Sequence, residues 1–209
     1  MKQSYLYIDT VGSIAIGLLD HKFQWIAYEN LGERKRSNSI HRKIHELVEK
    51  HNLSLMNIKN VIYSSGPGSY TGMRVSEVIV QGLAFFDFNL FSFYHFNVPS
   101  ILGSKEGKWV SNAFKGEAFI YEWNNKGSKH SLIKDDLEEY LGSENIYCYN
   151  KESLSQIINS KINIAGESQQ MIFENSEVFF KKVVDNDNKY LPFYYRNELQ
   201  EFKPPKARF

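Results

Sequence analysis

The sequence predicts an α/β fold made of two similar halves. The order of three strands, a helix, a strand and a helix occurs twice, first in residues 1–104 and again in residues 105–189. A glycine-rich turn, residues 64–74, joins a predicted strand to a predicted helix in the first half. Hydrophobic residues make up 42% of the 209 residues, as in a globular chain. We expect the second half to be reduced, and residues 190–209 to pack back on the first half and end in a flexible tail.

The first half opens with three strand patterns that are separated by tight turns, which predicts an antiparallel meander. Ile40, Ile44 and Val48 then recur at the spacing of an amphipathic helix. The other predicted elements of this half are a strand over residues 60–65, a helix over 71–86, a strand over 90–94 and a short helix that begins near Pro99.

The second half repeats this order from about residue 108. Its predicted strands cover residues 109–113, 117–123, 129–133, 145–149 and 162–165. Its predicted helices cover residues 135–141 and 152–159, and a polar loop follows at residues 185–189. Because no low-complexity linker separates the halves, we expect them to pack together.

The glycine-rich turn allows two interpretations. Its glycines let another group approach the backbone closely, and Ser69 or Thr71 can cap the following helix. The start of that helix could hold a phosphate, or the turn could be a tight connection against a neighbouring element. Glycine composition alone favours the tight connection. The P-loop, the dinucleotide fingerprint and the nucleophile elbow do not fit the spacing.

Charge and cysteine content exclude several classes of protein. The formal net charge is +1, which gives no electrostatic indication of nucleic-acid binding. Cys148 is the only cysteine, so an internal disulfide and a cysteine-based zinc site are excluded. No apolar stretch is long enough to span a bilayer, and the N-terminal run lacks a signal-peptide pattern. We therefore expect a cytoplasmic protein that does not bind membranes.

Several motifs resemble one family. Residues 66–74, GPGSYTGMR, closely resemble the G-P-G-S-F-T-G-x-R motif of the TsaB (YeaZ) family, bacterial proteins of tRNA threonylcarbamoyladenosine biosynthesis. Residues 8–10 resemble its opening I-D-T, residues 81–84 its Q-G-L-A helix, and residues 192–197 its P-x-Y-L-R-N tail. Residues 115–117 lie where the family has D-A-R-x-G-E, but Asn112 and Phe114 replace the aspartate and arginine, so the role of this turn stays open.

The resemblance implies a fold and a role. The duplicated order is similar to that of the actin-like, Hsp70-like and sugar-kinase-like superfamily. The resemblance to the TsaB family implies a non-catalytic scaffold that binds and activates TsaD. Such a scaffold reaches TsaE and tRNA only through that complex and forms a homodimer when alone. No tightly bound cofactor is expected, and ADP or ATP only at the interface with TsaD. The loop near the partner or nucleotide would comprise Asp9, Thr10, Gly66, Pro67, Gly68, Ser69, Tyr70, Thr71, Gly72 and Arg74.

The helix after the glycine turn also suggests an interface. Its predicted core face carries Val75, Val78, Ile79, Leu83, Phe85 and Phe86. A second apolar seam falls nearly opposite, and it needs cover either from a partner or from the chain itself. With the first helix, the predicted partner interface comprises Met73, Glu77, Val80, Gln81, Ala84, His41 and His45. His41 and His45 could also share a metal, but no third ligand is evident, and we predict no metal site.

Two other functions stay open. Asp9 ends a predicted strand and could be a turn residue, or the metal-binding acid or base of a small actin-like kinase or ATPase. The second half shows neither a glycine-rich adenosine loop nor a second well-placed acid. A peptidase is not indicated, because the sequence around Ser69 shows no pairing of a nucleophile with a base. TsaD itself binds metal through an H-x-x-x-H pair, which cannot form here because Pro99 lies four residues after His95.

Overall fold

The computed structural model describes residues 4–32, 40–55, 58–142, 145–155, 157–158 and 162–196. Within this part of the chain, two five-stranded sheets form the frame of the molecule. None of its described helices is both long enough and apolar enough to cross a bilayer.

The first sheet has the strand order β3-β2-β1-β4-β5. Its strands are β1 Tyr5–Asp9, β2 Ile14–Leu19, β3 Trp25–Gly32, β4 Asn60–Ser64 and β5 Asn89–Phe93. The first three form the predicted antiparallel meander, and β4 and β5 join β1 in parallel. Strand β1 is buried along its whole length because both faces of the sheet are covered. Its first four residues are therefore all apolar or aromatic rather than alternating with polar ones.

The second sheet repeats the order of the first, as β8-β7-β6-β9-β10. Its strands are β6 Gly107–Asn112, β7 Ala118–Asn124, β8 Gly127–Ile133, β9 Ile146–Cys148 and β10 Ile164–Glu167. The meander is again antiparallel, and β9 and β10 are again parallel additions beside β6. The predicted duplication of an α/β half is therefore confirmed.

The helices differ more from the prediction than the strands do. They are α1 Ile40–Lys50, α2 Tyr70–Ala84, α3 Val98–Ile101, α4 Leu137–Leu141, α5 Ser168–Glu174 and α6 Ser176–Asp185. The helix predicted over residues 152–159 is wrong, since the only helical turn among its described residues is the 3-10 turn Glu152–Leu154. The second half is thus reduced in its helices and complete in its strands.

Helices α5 and α6 were not predicted. Although they follow the second sheet in the chain, Phe179, Phe180 and Val183 pack against Tyr5 and Tyr7 of the first sheet. The short α5 and the break at Asn175 hide the helical period in the sequence. The division at residues 104/105 and 189/190 stays a prediction. The part of the tail beyond residue 196, including Asn197 of the family motif, lies outside the described residues.

Helix α2 buries one continuous arc rather than two separate faces. Met73 and Val80, predicted to form an uncovered seam, are only 2% and 4% exposed. Met73 packs between the halves beside Val11 and Trp109. Val78, predicted to face the core, is 69% exposed. The prediction of the two faces is wrong because the core between the halves covers Met73, whereas nothing in the described chain covers Val78.

Candidate functional site

Polar side chains from three strand ends meet at one edge of the first sheet. Asp9 ends β1, Ser64 ends β4, and His95 follows β5 by two residues. These strands are parallel neighbours, so their carboxyl ends lie side by side. His95 was not predicted at this site, although a polar residue two positions after a parallel strand was the signal that could have revealed it.

The carboxylate of Asp9 is buried and fully engaged. Ser64 Oγ and the Val11 backbone N–H donate to Oδ1 at 2.7 and 3.1 Å. The hydroxyls of Tyr149 and Tyr7 donate to Oδ2 at 3.1 and 3.3 Å. His95 Nε2 lies 3.2 Å from Oδ2 but is not directed along a hydrogen bond, so this contact is electrostatic. Asp9 is 0% exposed, which leaves it no path to a ligand.

The protonation states follow from this arrangement. Burial acts to raise the pKa of Asp9, but His95 and the hydrogen bonds from Ser64 and Val11 together lower that pKa below its ordinary value. Burial, and then the nearby charge of Asp9, raise the pKa of Tyr7 and of Tyr149 well above their ordinary value. Two neutral phenols therefore donate to one ionised carboxylate.

His95 also contacts a serine from the second half. Its Nδ1 lies 3.0 Å from Ser168 Oγ, so serine, imidazole and carboxylate occur in the order found in serine hydrolases. Ser168 is 0% exposed and lines neither of the two cavities described below. Since no substrate carbonyl can reach this hydroxyl, the geometry does not favour a peptidase.

Tyr149 covers the hairpin between β1 and β2. A Cβ atom on Gly12 would lie 2.3 Å from its ring, and its hydroxyl oxygen, whose proton is directed to Asp9, also lies 3.1 Å from the Ser13 carbonyl oxygen. A phosphate at this hairpin would meet the tyrosine ring, and it would find no acid to hold a metal because Asp9 is sealed. The residues present therefore do not fit a nucleotide bound through Asp9.

The glycine turn is packed tightly against this hairpin. The Ser69 N–H donates to the Val11 carbonyl at 3.1 Å, and Thr10 Oγ1 donates to the Gly72 carbonyl at 2.7 Å. A Cβ on Gly68 would lie 2.6 Å from the Val11 oxygen, and one on Gly72 would lie 2.0 Å from the Thr10 oxygen. Ser69 caps α2 by accepting from the Gly72 N–H at 3.3 Å. The contacts favour the tight connection over the phosphate loop.

A cleft of about 590 Å³ lies between the halves. From the first half, Ser13 and Ser69 line it, and from the second half Asn112, Phe114 and Glu152. None of its described lining residues is a lysine or arginine, and Glu152 is the only carboxylate among them. Such a lining is poorly suited to the negative charge of a nucleotide. A smaller cavity of about 240 Å³ lies on the other side of the turn, beside Tyr70, Thr71, Tyr194 and Arg196.

The turn that departs from the family motif keeps a charged contact. Arg196, which matches the arginine of the P-x-Y-L-R-N tail, forms a salt bridge with Glu117 and also donates to the Ala113 carbonyl at 2.8 Å. Asn112 Oδ1 accepts from the Phe114 N–H at 2.8 Å and shapes the turn. Asn112 is thus structural in this chain, whereas Phe114 is 49% exposed and lines both cavities.

The other predicted interface residues lie on the surface of the first half. Arg74, Gln81 and Ala84 are exposed on α2, and Glu77 is half-buried beside them. Sequence reasoning missed that Val78, Phe85 and Phe86 share this exposed region. On α1, His41 and His45 are exposed, and His45 Nδ1 lies 3.3 Å from Glu49 Oε2. No group of three potential metal ligands occurs in the described part of the chain.

Comparison with known proteins connects this geometry to a family. The family model described as TsaD, tRNA N6-adenosine threonylcarbamoyltransferase, matches residues 30–86, which hold α1, the glycine turn and α2. A curated relative is the tRNA threonylcarbamoyladenosine biosynthesis protein TsaB of Buchnera aphidicola subsp. Baizongia pistaciae (strain Bp), 30% identical over 86 residues. That match spans 40% of this chain and 38% of the relative.

Two solved structures share the fold over almost the whole chain. One is YeaZ from Pseudomonas aeruginosa, with a TM-score of 0.61, 14% identity, and coverage of 92% of this chain and 99% of YeaZ. The other is an uncharacterised protein described as similar to the peptidase YeaZ from Pseudomonas aeruginosa, with a TM-score of 0.64, 14% identity, and coverage of 93% and 100%. The resemblance to the TsaB family is confirmed. At this identity the structural likeness concerns the fold alone; in this chain the glycine turn joins β4 to α2.

Proposed function

We propose that this chain is a non-catalytic subunit in tRNA threonylcarbamoyladenosine biosynthesis and that it acts by binding TsaD. The GPGSYTGMR motif, the TsaB relative and the TsaD-like match over residues 30–86 support the pathway. The observation that carries the proposal is that the matched region presents a helix face with exposed apolar side chains, while the one candidate catalytic acid of the chain, Asp9, is sealed.

The exposed face of α2 has the character of an interface. Arg74, Val78, Gln81 and Phe85 follow one another at spacings of three or four, so they lie along one side of the helix. We call these four residues, with Phe86 just beyond the helix end, the α2 face. Phe85 is 85% exposed and Phe86 63% exposed. Large apolar side chains grouped on a surface are typical of protein–protein contact sites.

The alternative function is a small actin-like kinase or ATPase. It requires Asp9 to reach a metal or a nucleotide, and Asp9 is 0% exposed and has two donors to each oxygen. Tyr149 lies over the hairpin that would hold the phosphates. These contacts support the non-catalytic role.

The remaining parts of the proposal concern the assembly. We expect TsaE and tRNA to be engaged through the complex with TsaD, which accords with a net charge of +1. We expect the α2 face to mediate a homodimer when TsaD is absent. No cofactor would be bound tightly, and ADP or ATP would be held at the interface with TsaD rather than at Asp9. Since tRNA is modified in the cytoplasm, this role implies a cytoplasmic protein.

Two matched valines test the interface. Val78 is 69% exposed on the α2 face, and Val178 is 51% exposed on α6. We expect Val78→Asp to weaken binding to TsaD from the same cell at least about tenfold, which is about 1.4 kcal/mol. Val178→Asp should bind as the wild type does. Isothermal titration calorimetry of purified proteins measures both. Equal affinity of the two variants would remove the α2 face from the proposal.

A tRNA modification assay tests the role itself. Threonylcarbamoyladenosine should form only when this chain accompanies TsaD, TsaE and the threonylcarbamoyl donor. The isolated chain should turn over no ATP. ATP turnover that is lost in Asp9→Ala would instead revive the kinase or ATPase hypothesis, and full modification without this chain would refute the proposed subunit.

A further inference from the structure

The last described segment, residues 188–196, crosses from the first sheet to the turn between β6 and β7. We call it the C-terminal strap. We propose that the strap is a releasable latch that holds the two halves together over the glycine turn. This inference goes beyond the proposed function and does not depend on it.

On the first half the strap is held mainly through backbone groups. The Ser92 N–H donates to the Asn188 carbonyl at 2.8 Å, and the Phe193 N–H donates to the Ser65 carbonyl at 2.8 Å. Between them, the Tyr190 carbonyl accepts from Ser65 Oγ at 3.1 Å and from Ser92 Oγ at 3.3 Å. Ser65 belongs to the glycine turn, so the strap and the turn share their hydrogen bonds.

On the second half the strap is held by polar side chains and by packing of Phe193 and Tyr195 on Phe119. The guanidinium of Arg196 pairs with Glu117 and donates to the carbonyls of Ala113 and Phe114 at 2.8 and 3.3 Å. The Arg196 side chain is 9% exposed and that of Glu117 30%, so this ion pair is partly shielded from solvent and salt. We call this pair the clasp.

The clasp closes on a turn in an unusual conformation. Phe114, Lys115 and Gly116 all have positive φ, at 62°, 56° and 76°. Two of these three are not glycine, and such residues persist in this region only where the surroundings hold them. The guanidinium donates to the carbonyl just before this conformation and to the carbonyl of its first residue, Phe114, and it pairs with Glu117 at its end. Release of the clasp therefore removes contacts that fix the turn.

The strap also joins the clasp to the glycine turn. Tyr194 packs on Tyr70 at the start of α2, with ring centroids 5.1 Å apart. Tyr195 lines both the cleft and the smaller cavity. These rings lie between the anchor at Phe193 and the clasp at Arg196, and Tyr195 also packs on Phe119 and contacts the Ser111 hydroxyl. Release of the clasp therefore removes one of the contacts that hold the rings against the second half. The expected result is a wider cleft and a looser glycine turn.

Hydrogen exchange on the intact chain tests the latch. Glu117→Gln removes the charge of the clasp with little change of shape, and Glu46→Gln on α1 is the control because it removes exposed pairs with Arg42 and Lys43. We expect Glu117→Gln to raise amide exchange at least about threefold in residues 64–72 as well as 111–117, with α6 unchanged. Glu46→Gln should leave both segments at the wild-type rate.

Two results would overturn the latch. Faster exchange confined to residues 111–117 would show that the clasp acts on its own turn only, and a uniform rise that includes α6 would show a general loss of stability. If Glu117→Gln does not fold, Ser111→Ala replaces it, because Ser111 Oγ contacts the Tyr195 hydroxyl. The same rise in residues 64–72, with α6 unchanged, is then required.

Discussion

Two glycines of helix α2 should respond oppositely to the same substitution. Within a helix, replacing glycine by alanine usually stabilises a protein by about 0.5–1 kcal/mol. A Cβ at Gly82 would meet nothing within 4 Å, so Gly82→Ala should show this gain. A Cβ at Gly72 would lie 2.0 Å from the Thr10 backbone oxygen, where ordinary contact begins at 3.4 Å. The helix and the β1–β2 hairpin would have to separate by about 1.4 Å.

That separation has a cost that can be estimated. It would stretch the hydrogen bond from Thr10 Oγ1 to the Gly72 carbonyl, now 2.7 Å, and the bond from the Ser69 N–H to the Val11 carbonyl, now 3.1 Å. With overpacking of a tight contact, the expected loss for Gly72→Ala is about 3 kcal/mol. The two variants should therefore differ by about 4 kcal/mol.

Urea unfolding followed by far-UV circular dichroism measures this difference, provided that the slopes with denaturant agree. Gly72→Ala should unfold at a lower urea concentration than the wild type, and Gly82→Ala at a slightly higher one. If Gly72→Ala were as stable as the wild type, the close approach of α2 to the hairpin would be incorrect. The structural account of the glycine motif would then fail.

Three further predictions concern buried polar groups. Tyr149→Phe should lower the free energy of unfolding by about 2 kcal/mol because it removes a donor to the charged Asp9. Tyr147→Phe, which loses only a contact with the Ser104 hydroxyl, should lower it by about 1 kcal/mol or less in the same urea assay. Equal losses would contradict the special role of Asp9. Because the pKa of Asp9 is lower in the folded protein than the ordinary value of 3.8, ionised Asp9 stabilises the fold above pH 3.8, and this stability is lost as the pH falls through the folded pKa. Asp9→Asn should therefore make the urea midpoint fall less steeply on acidification below about pH 5. An unchanged slope would argue against the pKa shift. Burial, and then Glu167, raise the pKa of the Cys148 thiol to about 12. Ellman's reagent should therefore react with the native protein at least about a hundredfold more slowly than with the protein unfolded in urea. Rapid labelling of the native protein would show that the core around β9 opens.

Much of the frame followed from local patterns. The meanders, the glycine turn, α1 and the repeated order of elements are visible because each depends on residues that are close in the chain. Helix α5 was missed since its seven residues are too few to show a period clearly. The exposed side of α2 was misjudged since periodicity gives the direction of a side chain but not what lies in that direction.

The sequence alone determined the duplicated α/β fold and, through the GPGSYTGMR motif, the resemblance to the TsaB family. Only the tertiary structure decided that Asp9 is sealed rather than reactive. Its partners Ser64 and Tyr149 lie 55 and 140 residues away in the chain, and no local pattern records such contacts. The tertiary structure likewise decided that Met73 is core while Phe85 is surface, because the second half packs on one side of α2 and leaves the other side bare.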